Sequence, residues 1–88
     1  MGQTPLWSFA GDSKSIFRNF KFRDFKGAMA FVSEVADIAE FEGHHPDIDI
    51  RWNKVLLTLS THAIKGLSEN DFILASKIDA IETVGPLA

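Results

Sequence analysis

The chain has 88 residues, so it is long enough for one hydrophobic core, and we expect residues 1–88 to form a single domain. Its 45 % hydrophobic and 24 % charged residues exclude a disordered chain, and its net charge of −3 argues against direct binding to nucleic acid. It has no cysteine, which excludes disulfides and thiolate metal sites and favours the cytoplasm. It has no apolar run near the roughly 18 to 20 residues that a membrane-spanning helix needs, so we expect no membrane span.

The first half of the chain predicts a β-hairpin followed by a helix. Residues 6–9 are consistent with a strand that ends at the turn-forming Gly11-Asp12 pair, and residues 15–23 alternate as a half-buried strand requires. Asp24 can cap a helix running to about residue 41, and Gly43 is placed to end it because glycine tolerates the left-handed conformation. The apolar stripe of this helix is predicted to be Ala28, Val32, Val35, Ala36 and Ala39.

A second hairpin follows. Ile48, Ile50 and Trp52 alternate with charged residues as a third strand, and the chain turns around Asn53 and Lys54. Residues 55–62 then alternate as a fourth strand, antiparallel to the third.

The last predicted element is a helix that begins at a capping box formed by Ser68 and Asp71 and ends before Gly85-Pro86. The element order is therefore β-β-α-β-β-α. A sheet with alternating faces and two helices with apolar stripes are most simply assembled as an α+β two-layer sandwich, with both helices on one face of a four-stranded antiparallel sheet. The stripe of the second helix is predicted to be Leu74, Ala75, Ile78 and Ile81.

All three histidines of the chain, His44, His45 and His62, lie within one region. Imidazole has an ordinary pKa of roughly 6.5, so it can give and take protons near neutral pH. The predicted hairpin places His62 at the same end as His44 and His45, which suggests acid/base chemistry. The alternative is that all three are ordinary turn and surface residues.

A set of polar elements follows in a fixed order along the chain: Glu40, the His-His-Pro string at His44, His45 and Pro46, then Trp52, then Thr61-His62, and Asp71 in GLSEND. This ordered set resembles the signature of the pterin-4a-carbinolamine dehydratase family. The resemblance covers nearly the whole chain, including Trp7 and the strings FKFRDF and WNKVLLTLSTH. The chain departs from the family pattern at Gly43, Ile48 and Asn70.

The resemblance implies a hydro-lyase that removes water from 4a-hydroxytetrahydrobiopterin to give quinonoid dihydrobiopterin, a step that recycles the cofactor of aromatic amino-acid hydroxylases. A general acid must protonate the departing hydroxyl, and a base must accept a proton from a ring nitrogen. Histidine suits both tasks, and such assistance contributes roughly 10² to 10⁴ in rate. The resemblance implies no metal, nucleotide or redox cofactor.

The resemblance also assigns roles to individual residues. The catalytic set is His44, His45 and His62, with His44 and His62 as the acid/base pair and His45 mainly binding the pterin. The substrate-binding set is Glu40, Pro46, Trp52, Thr61 and Asp71.

Each substrate-binding assignment has a structural alternative. Glu40 is equally consistent with a solvated helix residue, and Trp52 with core or interface packing. Asp71 in the first turn of a helix is favoured by the helix dipole without any catalytic role. Thr61 in a strand is usually only a strand former.

Two further interpretations of the whole protein stay open. The three histidines with a carboxylate match the ligand count of catalytic zinc, although adjacent histidines in an extended segment point apart. Members of the family also act as partners of a transcription factor, so the alternative function is a protein-interaction module. The resemblance and an unpaired sheet edge predict a homodimer or a homotetramer.

Overall fold

The computed structural model describes residues 6–12, 14–61 and 66–81. Within them the chain confirms the predicted α+β fold and its element order. The second helix ends earlier than predicted, at Asp79, so the buried Ile81 lies beyond its end. Gly85-Pro86, predicted to stop that helix, and His62 lie outside the described residues. The elements are β1 (Ser8–Phe9), β2 (Ile16–Lys21), α1 (Phe25–Glu42), β3 (Asp47–Arg51), β4 (Lys54–Leu59) and α2 (Glu69–Asp79).

The four strands form one antiparallel sheet in the order β1-β2-β4-β3, so β4 is central and β3 lies at an edge. The register pairs Ile16 with Leu59 and Phe20 with Val55. Residues paired across two strands point to the same side of a sheet, so these apolar side chains make a single buried face. The opposite face carries the exposed and half-buried residues of the alternation, such as Asn19 and Leu56.

Both helices contribute to the core on that buried face. Phe31 of α1 is fully buried, and its ring centroid lies 4.6 Å from that of Phe20 and 5.0 Å from that of Phe22. From α2, Leu74 and Ile78 are fully buried in the same cluster. The predicted two-layer arrangement, with the helices on one face, is what this core requires.

Helix α1 begins and ends as its sequence predicts. The Asp24 carboxylate accepts a hydrogen bond of 2.8 Å from the backbone N–H of Gly27. At the other end Gly43 has a φ of +65°, its N–H donates to Glu40 and the N–H of His44 donates to Ala39. These paired bonds form a Schellman motif, which fixes the direction in which the chain leaves the helix at His44.

Two details of the predicted helical stripe differ. Ala36 is exposed, and Phe31 is the buried residue that the prediction omitted. The buried residues follow the spacing 28, 31, 35 and 39. The large Phe31 ring determines which side faces the sheet, because an alanine such as Ala36 is small enough to be tolerated on either side.

The third strand ends one residue earlier than predicted. Trp52 lies in the turn with a φ of +53°, and Lys54 already belongs to β4. The cause is the buried Asn53, which makes two hydrogen bonds to Phe22. Its side-chain amide donates to the backbone carbonyl of Phe22, and its backbone carbonyl accepts from the N–H of Phe22. These two bonds attach the turn to the end of β2 and fix where the hairpin reverses.

In the part of the chain that the structure describes, neither helix has the length and apolar character needed to cross a membrane.

Candidate active site

His44 and Asp71 meet where the end of α1 approaches the start of α2. The His44 Nε2 atom lies 2.6 Å from Asp71 Oδ1. The Asp71 side chain is completely buried, whereas that of His44 keeps 16 % of its surface accessible. The Schellman motif positions His44, and the first turn of α2 positions Asp71.

Asp71 is held from its other side by two donors. Its Oδ2 atom accepts from the backbone N–H of Ser68 at 2.9 Å and from the Thr61 hydroxyl at 2.8 Å. The first of these bonds is the acidic half of the predicted capping box. Thr61 is itself fixed by a backbone bridge to Gly66, in which its N–H donates to the Gly66 carbonyl at 2.7 Å. The carboxylate therefore has little freedom to rotate.

His45 has a different carboxylate partner. Its Nε2 atom lies 2.6 Å from Glu40 Oε2 on the last turns of α1. The two side chains are 60 % and 78 % exposed. An ion pair so accessible to water contributes little to stability. Its position next to His44 is therefore a better guide to its role than its strength. The adjacent histidines thus use different carboxylates, one buried and one exposed.

This arrangement can transfer protons. A carboxylate that accepts from one ring nitrogen of a histidine orients the ring, and the other ring nitrogen then faces the solvent or a bound molecule. His44 and Asp71 form such a pair through Nε2. Among residues 6–12, 14–61 and 66–81, no three His, Asp or Glu side chains converge as a metal site requires, and His62, which the zinc alternative needs, lies outside these ranges.

The structure does not bring every predicted site residue together. Pro46 is half-buried just before β3, next to the histidines. Trp52 lies just past the other end of β3, and six residue steps at about 3.3 Å each place it about 20 Å along the chain from Pro46. It is 67 % exposed, so this geometry gives no support to a stacking role beside His44 in the same chain.

One member of the site was not predicted as a functional residue. The Ser68 hydroxyl lies 2.6 Å from the Thr61 hydroxyl, which in turn contacts Asp71. The only signal in the sequence is the capping box, which indicates a helix start and says nothing about a distant strand end. Thr61, predicted to contact substrate, directs its hydroxyl to Ser68 and Asp71 in this structure.

Comparison with known families gives one match over most of the chain. The sequence profile of the family described as pterin 4 alpha carbinolamine dehydratase matches residues 1–81. A protein of Halorhodospira halophila provisionally named pterin-4-alpha-carbinolamine dehydratase is 49 % identical over 79 residues, which are 90 % of this chain and 72 % of that protein. A protein of Chloroflexus aurantiacus with the same provisional name is 51 % identical over 81 residues, or 92 % of this chain and 85 % of that protein.

Solved structures agree with this match. The crystal structure of a transcriptional coactivator/pterin dehydratase from Brucella melitensis superposes with a TM-score of 0.85 and 35 % identity, over 93 % of this chain and 85 % of that one. A pterin dehydratase-like protein identified as a RuBisCO assembly factor in the alpha-carboxysome superposes with a TM-score of 0.75 and 25 % identity, over 94 % of each chain.

Proposed function

The chain belongs to the pterin 4 alpha carbinolamine dehydratase family, and we propose that it removes water from 4a-hydroxytetrahydrobiopterin to give quinonoid dihydrobiopterin. The observation that supports this most is the accessible His44 imidazole backed by the buried Asp71 carboxylate. The proposed product would return to the cofactor cycle of an aromatic amino-acid hydroxylase. A cytoplasmic location remains a prediction.

The reaction needs two proton transfers. The bond between carbon 4a and the hydroxyl oxygen breaks, and its electron pair leaves with the oxygen, which takes a proton and departs as water. A ring nitrogen forms the new C=N bond with its lone pair and loses its own proton. In the proposal His44 and His62 carry these protons, which is worth roughly 10² to 10⁴ in rate for a well-placed group.

His45 and Glu40 have a binding role in the proposal. Both side chains are exposed, and His45 directly follows His44 in the chain. The contact with Glu40 keeps the His45 ring directed toward α1. A pterin carries ring N–H and amino donors, which a carboxylate can accept, and ring nitrogens and a carbonyl, which an imidazole N–H can reach. Pro46 would limit how far the backbone under this pair can move.

The test follows dehydration of freshly generated 4a-hydroxytetrahydrobiopterin by the absorbance of the quinonoid product. Wild type is compared with a His44→Ala/His62→Ala double variant, and Lys26→Ala, exposed at the start of α1, is the matched control. The proposal expects the wild type and the control to accelerate the reaction and the double variant to match the spontaneous rate. Equal acceleration by the folded double variant would rule it out.

A second candidate function, protein interaction, is favoured by an exposed apolar side chain. Phe41 on the last turn of α1 is 86 % exposed beside the half-buried Ile38. Together with Lys77 of α2 and Ala80 just after that helix, these residues line an open groove. Exposed apolar surface of this kind is typical of contact surfaces, and we propose that a second copy of this chain covers it.

Self-association through this groove is testable by sedimentation velocity over a concentration series. Phe41→Ser should shift the protein toward the monomer, whereas Phe25→Ser, at the other end of the same helix, should not. An unchanged oligomer in Phe41→Ser would exclude the groove as the interface. A wild-type monomer at every concentration would exclude self-association and leave a different partner as the occupant.

A further inference from the structure

We propose that Thr61 and Ser68 are positioning residues, whose hydroxyls act through Asp71 to fix the tautomer of His44 so that Nδ1 is the atom presented to substrate. This proposal rests on the role given to His44 above. It replaces the direct contact with substrate that was predicted for Thr61, and it assigns a role to Ser68.

The direction of the hydrogen bonds follows from counting protons. The Thr61 Oγ1 atom lies 2.8 Å from Asp71 Oδ2 and 2.6 Å from Ser68 Oγ. A hydroxyl has a single hydrogen, and a carboxylate offers only lone pairs. Thr61 therefore donates to Asp71, and the Ser68 hydroxyl donates to Thr61. The order of donation is Ser68 to Thr61 to Asp71.

The same count fixes the His44 ring. Asp71 Oδ2 already accepts from the Thr61 hydroxyl and from the Ser68 backbone N–H. Oδ1 faces His44 Nε2 at 2.6 Å, and Asp71 is fully buried, so the carboxylate is not open to solvent. Nε2 must then carry the hydrogen. In the neutral ring the acceptor is Nδ1, which is the atom left to exchange protons with substrate.

This arrangement leaves Thr61 no hydrogen for a ligand. Its hydroxyl proton is used by Asp71 and one of its lone pairs by Ser68. Donating to substrate would require breaking the bond to a buried carboxylate, which would leave that carboxylate with one donor fewer on Oδ2. The geometry therefore favours an indirect role for Thr61.

The experiment uses three substitutions, one on β4 and two at Thr61, which lies two positions after the end of that strand. Thr61→Val removes the hydroxyl with little change in shape, Thr61→Ser keeps it, and Thr58→Val makes the same change at a half-buried threonine of β4 that faces away from the core. Nitrogen-15 NMR of the histidines reports the His44 tautomer, and steady-state kinetics report kcat and KM. The NMR readout needs no turnover, so it tests this proposal even if the dehydratase assay fails.

Thr61→Val is expected to increase the fraction of His44 protonated at Nδ1. It should also lower kcat about tenfold with KM nearly unchanged. This loss is smaller than the roughly 10² to 10⁴ in rate that an acid/base group contributes, because His44 itself is still present. Thr61→Ser should restore both values, and Thr58→Val should change neither. If Thr61→Val does not fold, Ser68→Ala takes its place, with a smaller shift in the same direction expected. An unchanged tautomer, or a rise in KM alone, would overturn the proposal.

Discussion

At the scale of single residues, the two adjacent histidines show how environment separates chemically identical side chains. His44 contacts a buried carboxylate that has two further donors, whereas His45 contacts a carboxylate that is 78 % exposed. A buried carboxylate that loses a hydrogen-bond partner costs free energy because nothing replaces that partner. Water can replace the lost partner of an exposed carboxylate. The two pairs should therefore respond differently to substitution.

Replacing the buried carboxylate should damage both activity and stability. In Asp71→Asn one amide oxygen and one NH₂ group must face donors on both sides, namely His44 on one side and Thr61 with the Ser68 N–H on the other. Either the NH₂ group faces the donors on the Thr61 side, or it faces His44 Nε2 and the ring must carry its hydrogen on Nδ1. We therefore expect kcat to fall about 10²-fold and the free energy of unfolding to fall by about 1 to 3 kcal/mol. Kinetics and urea unfolding measure the two effects, with the exposed Asp49→Asn as control. Wild-type kcat in folded Asp71→Asn would contradict this role.

The exposed pair should behave in the opposite way. Glu40→Gln removes a charge that is mostly in water, so the free energy of unfolding should change by less than about 1 kcal/mol. If Glu40 and His45 bind the pterin, KM should rise while kcat stays within about twofold. Urea unfolding and a substrate titration test both statements. A large loss of kcat with constant KM would instead place Glu40 in the chemical step.

At the scale of elements, the exit from α1 connects the fold to the site. Gly43 takes the left-handed conformation that closes the helix, and the next residue is His44. The bond from the His44 N–H to the Ala39 carbonyl belongs to the same motif. The backbone of the proposed catalytic residue is therefore part of the helix cap, so a change in the cap should reach the chemistry.

Gly43→Ala should test this connection. A Cβ at a φ of +65° strains the backbone although it meets no atom within 4 Å, so we expect a loss of about 1 kcal/mol in stability and a measurable fall in kcat. Gly11→Ala is the matched control, because a Cβ there also meets nothing within 4 Å and no positive φ is involved. Thermal unfolding and the dehydration assay report the two effects. Equal behaviour of the two variants would mean that the cap does not position His44.

At the scale of the whole molecule, a small core makes each large side chain important. Phe31→Ala should remove about 3 to 5 kcal/mol from a domain whose total stability is of the order of 5 to 15 kcal/mol. Phe25→Ala on the same helix should cost less than half as much, because Phe25 is 49 % exposed and Phe31 is fully buried. Urea unfolding followed by circular dichroism compares them. Similar losses in the two variants would contradict the placement of Phe31 in the core.

The sequence predicted those features that depend on local patterns. Alternation in β2 and β4 predicted the buried face, and Asp24 and Gly43 predicted the bounds of α1 to within a residue or two. The end of β3 could not be predicted, because the bonds between Asn53 and Phe22 decide it and 31 residues separate the two.

The site shows the same division. The resemblance selected His44, His45, Glu40 and Asp71, but not which carboxylate serves which histidine. That choice depends on the direction of the chain after Gly43 and on the docking of α2, which brings together two residues 27 positions apart. The hydroxyl contact between Thr61 and Ser68 depends on the same docking and gives no signal in the sequence.

The most direct test of the central claim is chemical rescue of a His44→Ala variant in the dehydration assay. If the His44 imidazole carries a proton in the reaction, added imidazole should raise the rate of the variant in proportion to its concentration, and an uncharged heterocycle of similar size without a basic nitrogen should not. We predict a slow variant that imidazole accelerates. A folded variant with wild-type turnover, or a slow one that imidazole leaves unchanged at concentrations that fill the vacated space, would contradict the claim that this group transfers the proton.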